Sequence, residues 1–131
     1  MTGHAIHTQA HMTLGSDFAH ALAAKDAGRL ADLMHEEIDF AGLTPSRSWE
    51  ASGPDAVLEI LFGSWLEDKD EVRSLDGVET GAVADRERVG YRFSVSNPDG
   101  EHVVEQQAYL APRDGRIGWM RVVCSGFLPA E

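Results

Sequence analysis

The chain has 131 residues, 43% of them hydrophobic and 25% charged, and this length predicts one domain that buries about two thirds of its unfolded surface. The formal net charge of −11, with eleven scattered basic residues, argues against nucleic acid or an anionic membrane as a partner. No stretch approaches the ~18 apolar residues of a membrane span, and the N-terminal residues lack the pattern of a secretory signal. With a single cysteine, Cys124, we expect a soluble protein of a reducing cytoplasm.

The first thirteen residues are polar and have no helical or strand period. We therefore expect a flexible segment over residues 1–13 and a single domain over residues 14–131. His4, His7 and His11 would share one face if this segment were helical, and they could then bind a metal. Surface histidines on a frayed terminus are the alternative. No other histidines or carboxylates have convincing metal-ligand spacing, so we predict neither a metal nor an organic cofactor.

Three helices are predicted in the first half of the chain. Helical periodicity begins after "GSD", and Asp26 is placed to cap a second, short helix that ends near His35. The stretch "EIDFAGL" alternates like a short strand, and "TPSRSWEASGP" has the composition of a loop. Ser52 and Asp55 form a capping box with Pro54 in the first turn, which predicts a third helix reaching Trp65.

From "KDEV" onward the chain has the pattern of β-strands. A loosely patterned strand over about residues 71–82 precedes "RVGYRFSVS", which alternates cleanly. The turn "NPDG" joins this strand to "HVVEQQAYLA" as a hairpin, and "PRDG" leads into "RIGWMRVVCSGF". Helices followed by an antiparallel meander indicate an α+β fold with helices on one face of the sheet.

This order of elements resembles the nuclear transport factor 2-like superfamily, which includes ketosteroid isomerase, scytalone dehydratase and the SnoaL-like polyketide cyclases. The resemblance covers about residues 16–127 and is carried by "DFAHALAAKDAGRLADLMHEEIDF", "GPDAVLEILFGSW" and "QQAYLAPRDGRIGWMRVV". It implies a cone-shaped fold, in which a curved antiparallel sheet wraps around three N-terminal helices and leaves a pocket at its wide end. It implies no function, because this fold hosts unrelated activities.

The resemblance also assigns faces to the strands. It places nine residues on the concave, pocket side: Tyr91, Phe93, Val95, Glu105, Gln107, Tyr109, Met120, Val122 and Cys124. Ketosteroid isomerase uses a tyrosine on its first helix, an aspartate base after its first strand and a protonated aspartic acid in its sheet. Phe18, Gly42 and Gln107 occupy those positions here, so the resemblance does not extend to a working ketosteroid isomerase.

Glu105, Gln107 and Tyr91 are the candidate catalytic residues. A carboxylate desolvated among aromatic side chains would favour its protonated form and could act as an acid or base near neutral pH. A hydrated Glu105 at the rim, or one paired with an arginine, is the alternative. Gln107 and Tyr91 could bind a ligand oxygen or could only satisfy buried polar groups. The candidate ligand-binding residues are Phe18, Phe40, Trp65, Phe93, Tyr109, Met120, Val122 and Cys124.

Cys124 could be a nucleophile or a small buried hydrophobic residue, and no histidine is placed beside it by the sequence. Arg47 and Trp49, in the predicted loop, could cover the mouth of the pocket or pack as an exposed loop.

The convex side of the sheet is predicted to carry an apolar patch, with Gln106 and Arg121 among its residues. Such a patch usually marks an interface, and relatives with this fold pair through this surface, so we expect a two-fold homodimer. The patch is formed by Val104, Leu110, Ile117, Trp119 and Val123.

Three functions follow from these observations. The first is a cofactor-free isomerase, dehydratase or cyclase that moves a proton with Glu105 on a small hydrophobic, oxygenated molecule. The second is a non-catalytic homodimer that binds a similar ligand. The third is a protein-interaction module with an incidental pocket.

Overall fold

The fold was analysed in a computed structural model that describes residues 14–130. The predicted flexible segment and its three histidines lie outside the described residues. Three helices come early in this part of the chain: α1 over residues 14–23, α2 over Ala27–Leu33 and α3 over Pro54–Ile60. A π-helical turn, Leu61–Trp65, continues α3 without a break. No helix within residues 14–130 is long and apolar enough to cross a membrane.

Seven strands follow or separate these helices: β1 (Met34–Thr44), β2 (Arg47–Ser52), β3 (Glu71–Val83), β4 (Arg86–Asn97), β5 (Gly100–Arg113), β6 (Arg116–Cys124) and β7 (Leu128–Pro129). Six of them lie in the order β2-β1-β6-β5-β4-β3, and β7 pairs with β5. Only the β1–β6 pair among these is parallel. The result is a large curved antiparallel sheet that stays open, with the helices packed inside it, which confirms the predicted α+β cone.

The helices pack apolar side chains against the concave side of the sheet, and the two layers together form the core. Asp26 caps α2 as predicted, because its Oδ1 accepts a hydrogen bond of 3.0 Å from the backbone N–H of Arg29. Phe18 of α1 and Leu30 of α2 are fully buried. Their partners on the concave side of the sheet include Phe40, Phe93, Leu110 and Met120, each at most 1% exposed. Burial of apolar surface between the two layers is the main source of stability.

The predicted loop at residues 44–54 is wrong, because most of it is β2. Its Pro, Ser and Glu content is typical of a loop, but pairing with β1 overrides local propensity. Gly42 of β1 lies opposite Trp49 of β2. The predicted capping box is also wrong: Ser52 belongs to the strand, and α3 begins after Gly53, whose φ of +85° suits glycine.

The face predicted for β5 is wrong, and this changes the site. Asn97 pairs with Gly100 across a two-residue turn, and this turn fixes which residues of β4 and β5 lie opposite one another. Tyr91 of β4 therefore lies opposite Gln106, and opposite residues share a face. Because Tyr91 points inward as predicted, Gln106 points inward with it, and Glu105 and Gln107 point outward.

A bulge in β6 explains a second error. Ala111 pairs with Trp119, but Pro112 pairs with Ile117, so the register skips Gly118. The extra residue shifts, by one position, which side chains of β6 point to each face of the sheet. Ile117 therefore joins the core, while Met120, Val122 and Cys124 point inward as predicted.

Candidate functional site

A cavity of about 180 Å³ opens between the end of the π-helical turn and the inner face of β5 and β6. Its walls come from the ends of several elements, which converge at one end of the cone. They are mostly apolar, with a few polar groups among them. The lining residues used below are Trp49, Trp65, Val104, Gln106, Cys124 and Phe127. We call this space the concave cavity.

The π-helical turn places Trp65 in the cavity wall. The backbone N–H of Leu66 donates to the carbonyl of Leu61 over 2.8 Å, a bond that spans five residues instead of four. Such turns are rare and occur frequently at functional sites. The Trp65 ring packs against Phe40 and Trp49, with centroid distances of 6.0 and 6.2 Å.

Glycine at position 42 leaves room for the Trp65 ring. A Cβ atom there would lie 2.7 Å from Cη2 of Trp65, which is too close for any side chain. The resemblance to ketosteroid isomerase places a catalytic base at this position. In this chain the indole fills that space, and no base can be accommodated beside it.

The indole N–H of Trp65 has no hydrogen-bond acceptor among the described residues. Trp65 is 7% exposed, and its Nε1 is one of two buried side-chain nitrogen or oxygen atoms without a partner within residues 14–130, the other being Nδ1 of His102. An indole nitrogen can only donate, whereas a histidine ring nitrogen without its proton needs no acceptor. An unpaired buried donor costs about 1–3 kcal/mol of free energy. This nitrogen has almost no accessible surface, so an occupant of the cavity cannot reach it unless the indole ring moves.

Gln106 is the polar centre of the inner face. It is 3% exposed, and its Oε1 accepts a hydrogen bond of 2.6 Å from the hydroxyl of Tyr91. Its Nε2 donates to the sulfur of Cys124 over 3.3 Å. These contacts use one of the two amide hydrogens, so Gln106 retains one donor for a ligand.

Burial raises the pKa of Tyr91 well above its usual range, and the nearby Cys124 adds to the rise. The phenol therefore stays neutral at ordinary pH and acts as a hydrogen-bond donor to Gln106. Tyr91 therefore positions Gln106, since its hydroxyl donates its hydrogen bond to the amide that lines the cavity.

Cys124 ends β6 at the cavity wall and is 8% exposed. Besides the bond from Gln106, its sulfur accepts a hydrogen bond of 3.4 Å from the backbone N–H of Gly126. Cys124 is therefore buried, as the second of the two alternatives from the sequence has it, and its possible role as a nucleophile stays a prediction.

Aromatic rings and small polar side chains surround the mouth of the cavity. The indole nitrogen of Trp49 donates to Oγ1 of Thr44 over 2.9 Å, and the guanidinium of Arg47 lies 3.8 Å from the Trp49 ring centroid. Phe127 is 39% exposed and meets the ring of His102 edge to face at 5.7 Å. Trp49 thus takes part in the cavity wall, whereas Arg47 covers the outer side of its ring.

Glu105 is exposed and does not reach the concave cavity. It forms an ion pair with Arg92, whose Nε donates to Oε2 over 2.9 Å, and the hydrogen bonds and charge of Glu105 raise the pKa of Arg92. Gln107 accepts a hydrogen bond of 3.2 Å from Arg88 on the same outer face. The prediction of Glu105 and Gln107 in an apolar pocket is therefore wrong, because the hairpin register turns both outward. The alternative, a carboxylate paired with an arginine, is confirmed.

A broader hollow of about 530 Å³ is lined by Asp76, Arg92, Glu105 and Gln107 of the outer face, and it also reaches Tyr91, Gln106 and Cys124. Two of its charged side chains, Arg92 and Glu105, form the ion pair described above. The hydroxyls of Ser94 and Ser74 donate to Asp76, and these hydrogen bonds lower the pKa of that carboxyl. Water can solvate such an open groove, so we place the candidate site in the smaller and more apolar concave cavity.

Two of the eight predicted ligand-binding residues line the concave cavity, namely Trp65 and Cys124. Tyr109 is wrong because it lies on the outer face of β5, opposite Arg121. The remaining five are packed in the core and do not line the cavity: Phe18, Phe40, Phe93, Met120 and Val122.

The predicted convex patch is largely wrong. Val104, Leu110 and Ile117 are at most 4% exposed and belong to the core, for the reasons of register and bulge given above. Trp119 and Val123 do lie on the convex side. Val123 is 50% exposed and pairs with Leu43, which is 55% exposed.

Gln106 is the site residue that the sequence assignment placed on the wrong face. The turn "NPDG" could have corrected this assignment, because a two-residue hairpin fixes which residues of the two strands are opposite one another. Phe127 was missed as a cavity wall, since its position depends on how distant segments meet, whereas Trp49 was expected either to cover the mouth of the pocket or to pack in an exposed loop. No cluster of three or more potential metal ligands occurs among the described residues.

Known proteins match this chain in structure only. No family model and no curated protein matches the sequence. A candidate isomerase from Bacillus subtilis superimposes with a TM-score of 0.70 at 16% identity, over 90% of this chain and 88% of that one. An LEH-like epoxide hydrolase from M. tuberculosis gives 0.66 at 11% identity, over 89% and 84%.

An NTF2-like protein of unknown function from Mesorhizobium loti has 19% identity to this chain and a TM-score of 0.64. The match covers 90% of this chain and 93% of that one. At these identities the similarity establishes the architecture and leaves the activity open. The chain therefore has the nuclear transport factor 2-like fold of the SnoaL-like and ketosteroid isomerase-like proteins.

Proposed function

We propose that the protein binds a small apolar molecule carrying one hydrogen-bond acceptor, such as a ketone, in the concave cavity. The observation that carries this proposal is a largely apolar cavity whose wall includes the amide of Gln106, which retains one N–H for the acceptor of a ligand. Apolar walls supply affinity, and a few placed polar groups fix orientation, which is the usual design of small-molecule sites.

The volume of the cavity limits the size of the ligand. At about 180 Å³ it is smaller than the ~300–1,000 Å³ typical of sites for drug-sized ligands. It is close to an engineered apolar cavity of about 150 Å³ that binds benzene. A single six-membered ring with one oxygen therefore fits, whereas a steroid would not.

Binding is better supported than proton-transfer catalysis. Glu105, the predicted acid or base, lies on the outer face, and no carboxylate or imidazole from residues 14–130 lines the cavity. Cys124 is the ionisable side chain in its wall, with the neutral Tyr91 behind Gln106. Enzymes such as the epoxide hydrolase share the fold, but we do not transfer their chemistry because the described part of the chain places no carboxylate or imidazole in this cavity.

The test is the binding of cyclohexanone, measured by isothermal titration to the full-length protein. A ligand of this size is expected to bind with a Kd on the order of 0.1–1 mM, or about −4 to −5.5 kcal/mol. Val104→Phe should abolish binding by filling the cavity from β5. Val103→Phe is the matched control, because the neighbouring residue points to the other face of the same strand.

Ser64→Phe gives a second test that spares the core, since Ser64 is exposed at the mouth of the cavity. Weakened binding in Val104→Phe and Ser64→Phe, with retained binding in Val103→Phe, would support the proposal. Equal binding by all four proteins, or no binding by the wild type, would reject it.

A further inference from the structure

The side-chain amide of Gln106 has two chemically opposite ends, and its orientation decides which of them the concave cavity receives. One end is an acceptor oxygen and the other a donor NH₂ group, and the two have nearly the same shape. One end meets the hydroxyl of Tyr91, and the other meets the sulfur of Cys124. Gln106 and Cys124 line the cavity, whereas Tyr91 does not. The end that meets Cys124 is therefore the end nearer to a ligand.

Tyr91 fixes this orientation through its single hydroxyl hydrogen. The hydroxyl donates to Oε1 of Gln106 over 2.6 Å and has no other hydrogen-bond partner within residues 14–130. If the amide were turned over, its NH₂ group would donate to the phenol oxygen, and the hydroxyl hydrogen would lose its acceptor. Tyr91 is 4% exposed, so water cannot replace that acceptor. Loss of one buried hydrogen bond favours the observed orientation by about tenfold or more.

The NH₂ group is consequently held on the cavity side of the amide. One of its hydrogens is donated to the sulfur of Cys124 over 3.3 Å, and the other has no acceptor within residues 14–130. The same sulfur accepts a hydrogen bond of 3.4 Å from the backbone N–H of Gly126, which suits its role as an acceptor here. Because burial raises the pKa of Tyr91 well above its usual range, the phenol keeps its hydrogen at ordinary pH.

We propose that Tyr91 makes the concave cavity selective for ligands whose polar atom accepts a hydrogen bond, and against ligands whose polar atom only donates one. This inference rests on the proposed function, because the same cavity must bind the ligand. A ketone oxygen accepts the remaining N–H of Gln106. A donor-only ligand brings a second N–H to that place, and both donors stay unpaired, which weakens binding. Tyr91 acts through Gln106 and is therefore a positioning residue.

Cyclohexanone and pyrrole are the two probes, since each is a single ring and they carry an acceptor oxygen and a donor N–H, respectively. Isothermal titration to the full-length wild type should give a Kd for cyclohexanone at least about tenfold below that for pyrrole. In Tyr91→Phe the residue at position 91 favours neither orientation, so the amide can turn its oxygen to a pyrrole N–H. The ratio of the two Kd values should then fall about tenfold. General damage to the cavity would weaken both probes and leave this ratio unchanged.

A second measurement uses the wild type alone and decides the question if Tyr91→Phe does not fold. The side-chain N–H signals of Gln106 are observed in a ¹H–¹⁵N correlation spectrum and assigned through their connection to the backbone. Cyclohexanone should move one of them downfield with a saturable dependence on its concentration, and pyrrole should not. The side-chain signals of Gln107 are the internal control, because its amide lies on the outer face beside Arg88 and should respond to neither probe.

The two probes separate this inference from the function on which it depends. If cyclohexanone does not bind the wild type, the proposed function fails and the selectivity fails with it. If cyclohexanone binds but pyrrole binds as tightly, or if the ratio is the same in Tyr91→Phe, the selectivity is refuted while the binding function stands. Unmoved Gln106 signals at saturating cyclohexanone refute it as well. A ratio that falls in Tyr91→Phe, or a downfield shift of a Gln106 signal with cyclohexanone alone, supports it.

Discussion

The hydrogen bond between Tyr91 and Gln106 predicts a strong energetic coupling across β4 and β5. The oxygen atoms lie 2.6 Å apart, and the two residues are 4% and 3% exposed, so water cannot replace a lost partner. Gln106→Leu should leave the tyrosine hydroxyl buried and unsatisfied, at a cost of about 1–3 kcal/mol in the free energy of unfolding. Tyr91→Phe should cost a similar amount by orphaning the amide oxygen.

The double variant, Tyr91→Phe with Gln106→Leu, should be more stable than the sum of the single effects predicts. Replacing both partners by apolar groups of similar shape can be nearly neutral, so we expect a coupling energy of about 1–2 kcal/mol. The assay is urea denaturation of all four proteins, followed by circular dichroism at constant pH and salt.

Gln107→Leu is the matched control for this cycle. Gln107 is the next residue of β5, but it is exposed, and its side-chain oxygen accepts a hydrogen bond of 3.2 Å from the half-buried Arg88. Its substitution should change stability by less than about 0.5 kcal/mol. Additive effects of the Tyr91 and Gln106 substitutions, or a large effect of Gln107→Leu, would mean that β5 has the opposite face inward and would refute the hairpin register.

Three further predictions concern charge, pH and assembly. Glu105→Gln should lower the free energy of unfolding by less than about 1 kcal/mol, because the ion pair of Glu105 with Arg92 is half exposed. The affinity for cyclohexanone should stay unchanged, and a tenfold loss of affinity in titration would contradict this. Because the pKa of Tyr91 is raised, the unfolded state loses the phenol proton near pH 10 while the folded state keeps it. The free energy of unfolding is therefore full below about pH 10, and above it falls by up to about 1.4 kcal/mol per pH unit. Urea midpoints between pH 8 and 11 should show this fall in the wild type and a shallower one in Tyr91→Phe, and equal slopes would argue against the buried phenol. If the predicted homodimer forms through the convex side, Val123→Arg should yield a monomer in sedimentation analysis, and an already monomeric wild type would reject that interface.

Local signals predicted much of the fold. Asp26 caps α2 where the sequence placed a cap, and the turns "NPDG" and "PRDG" both connect antiparallel strands. The second turn has positive φ at Asp114 and Gly115, the conformation that Asp-Gly favours in tight hairpins. Such features depend on a few adjacent residues, which is why one sequence sufficed to identify them.

The errors arose where distant segments determine the outcome. The composition of β2 is typical of a loop, and these residues form a strand because they pair with β1. The extra residue at the β6 bulge moved Ile117 from the outer face into the core. Neither the pairing nor the bulge has a strong local signature.

The candidate site was predicted only in part for the same reason. Trp65 and Cys124 were expected at the cavity and lie there, but Gln106 was assigned to the wrong face. The π-helical turn that positions Trp65 cannot be distinguished by period from an ordinary helix end. Its consequence, an indole against Gly42, appears only when the helix is packed on the sheet. A one-residue difference in register moved the candidate acid, Glu105, from the pocket to solvent.

The most direct test of the proposed binding site is the indole N–H resonance of Trp65 in a ¹H–¹⁵N correlation spectrum, titrated with cyclohexanone. The chain has three tryptophans, and Trp65→Phe assigns the relevant signal. Because the Trp65 ring lines the cavity, binding should shift this signal with a saturable dependence on cyclohexanone concentration, while the signal of Trp119 on the outer face stays unchanged. A Trp65 signal that does not move at saturating cyclohexanone, or a shift confined to Trp119, would contradict a carbonyl-binding site in the concave cavity.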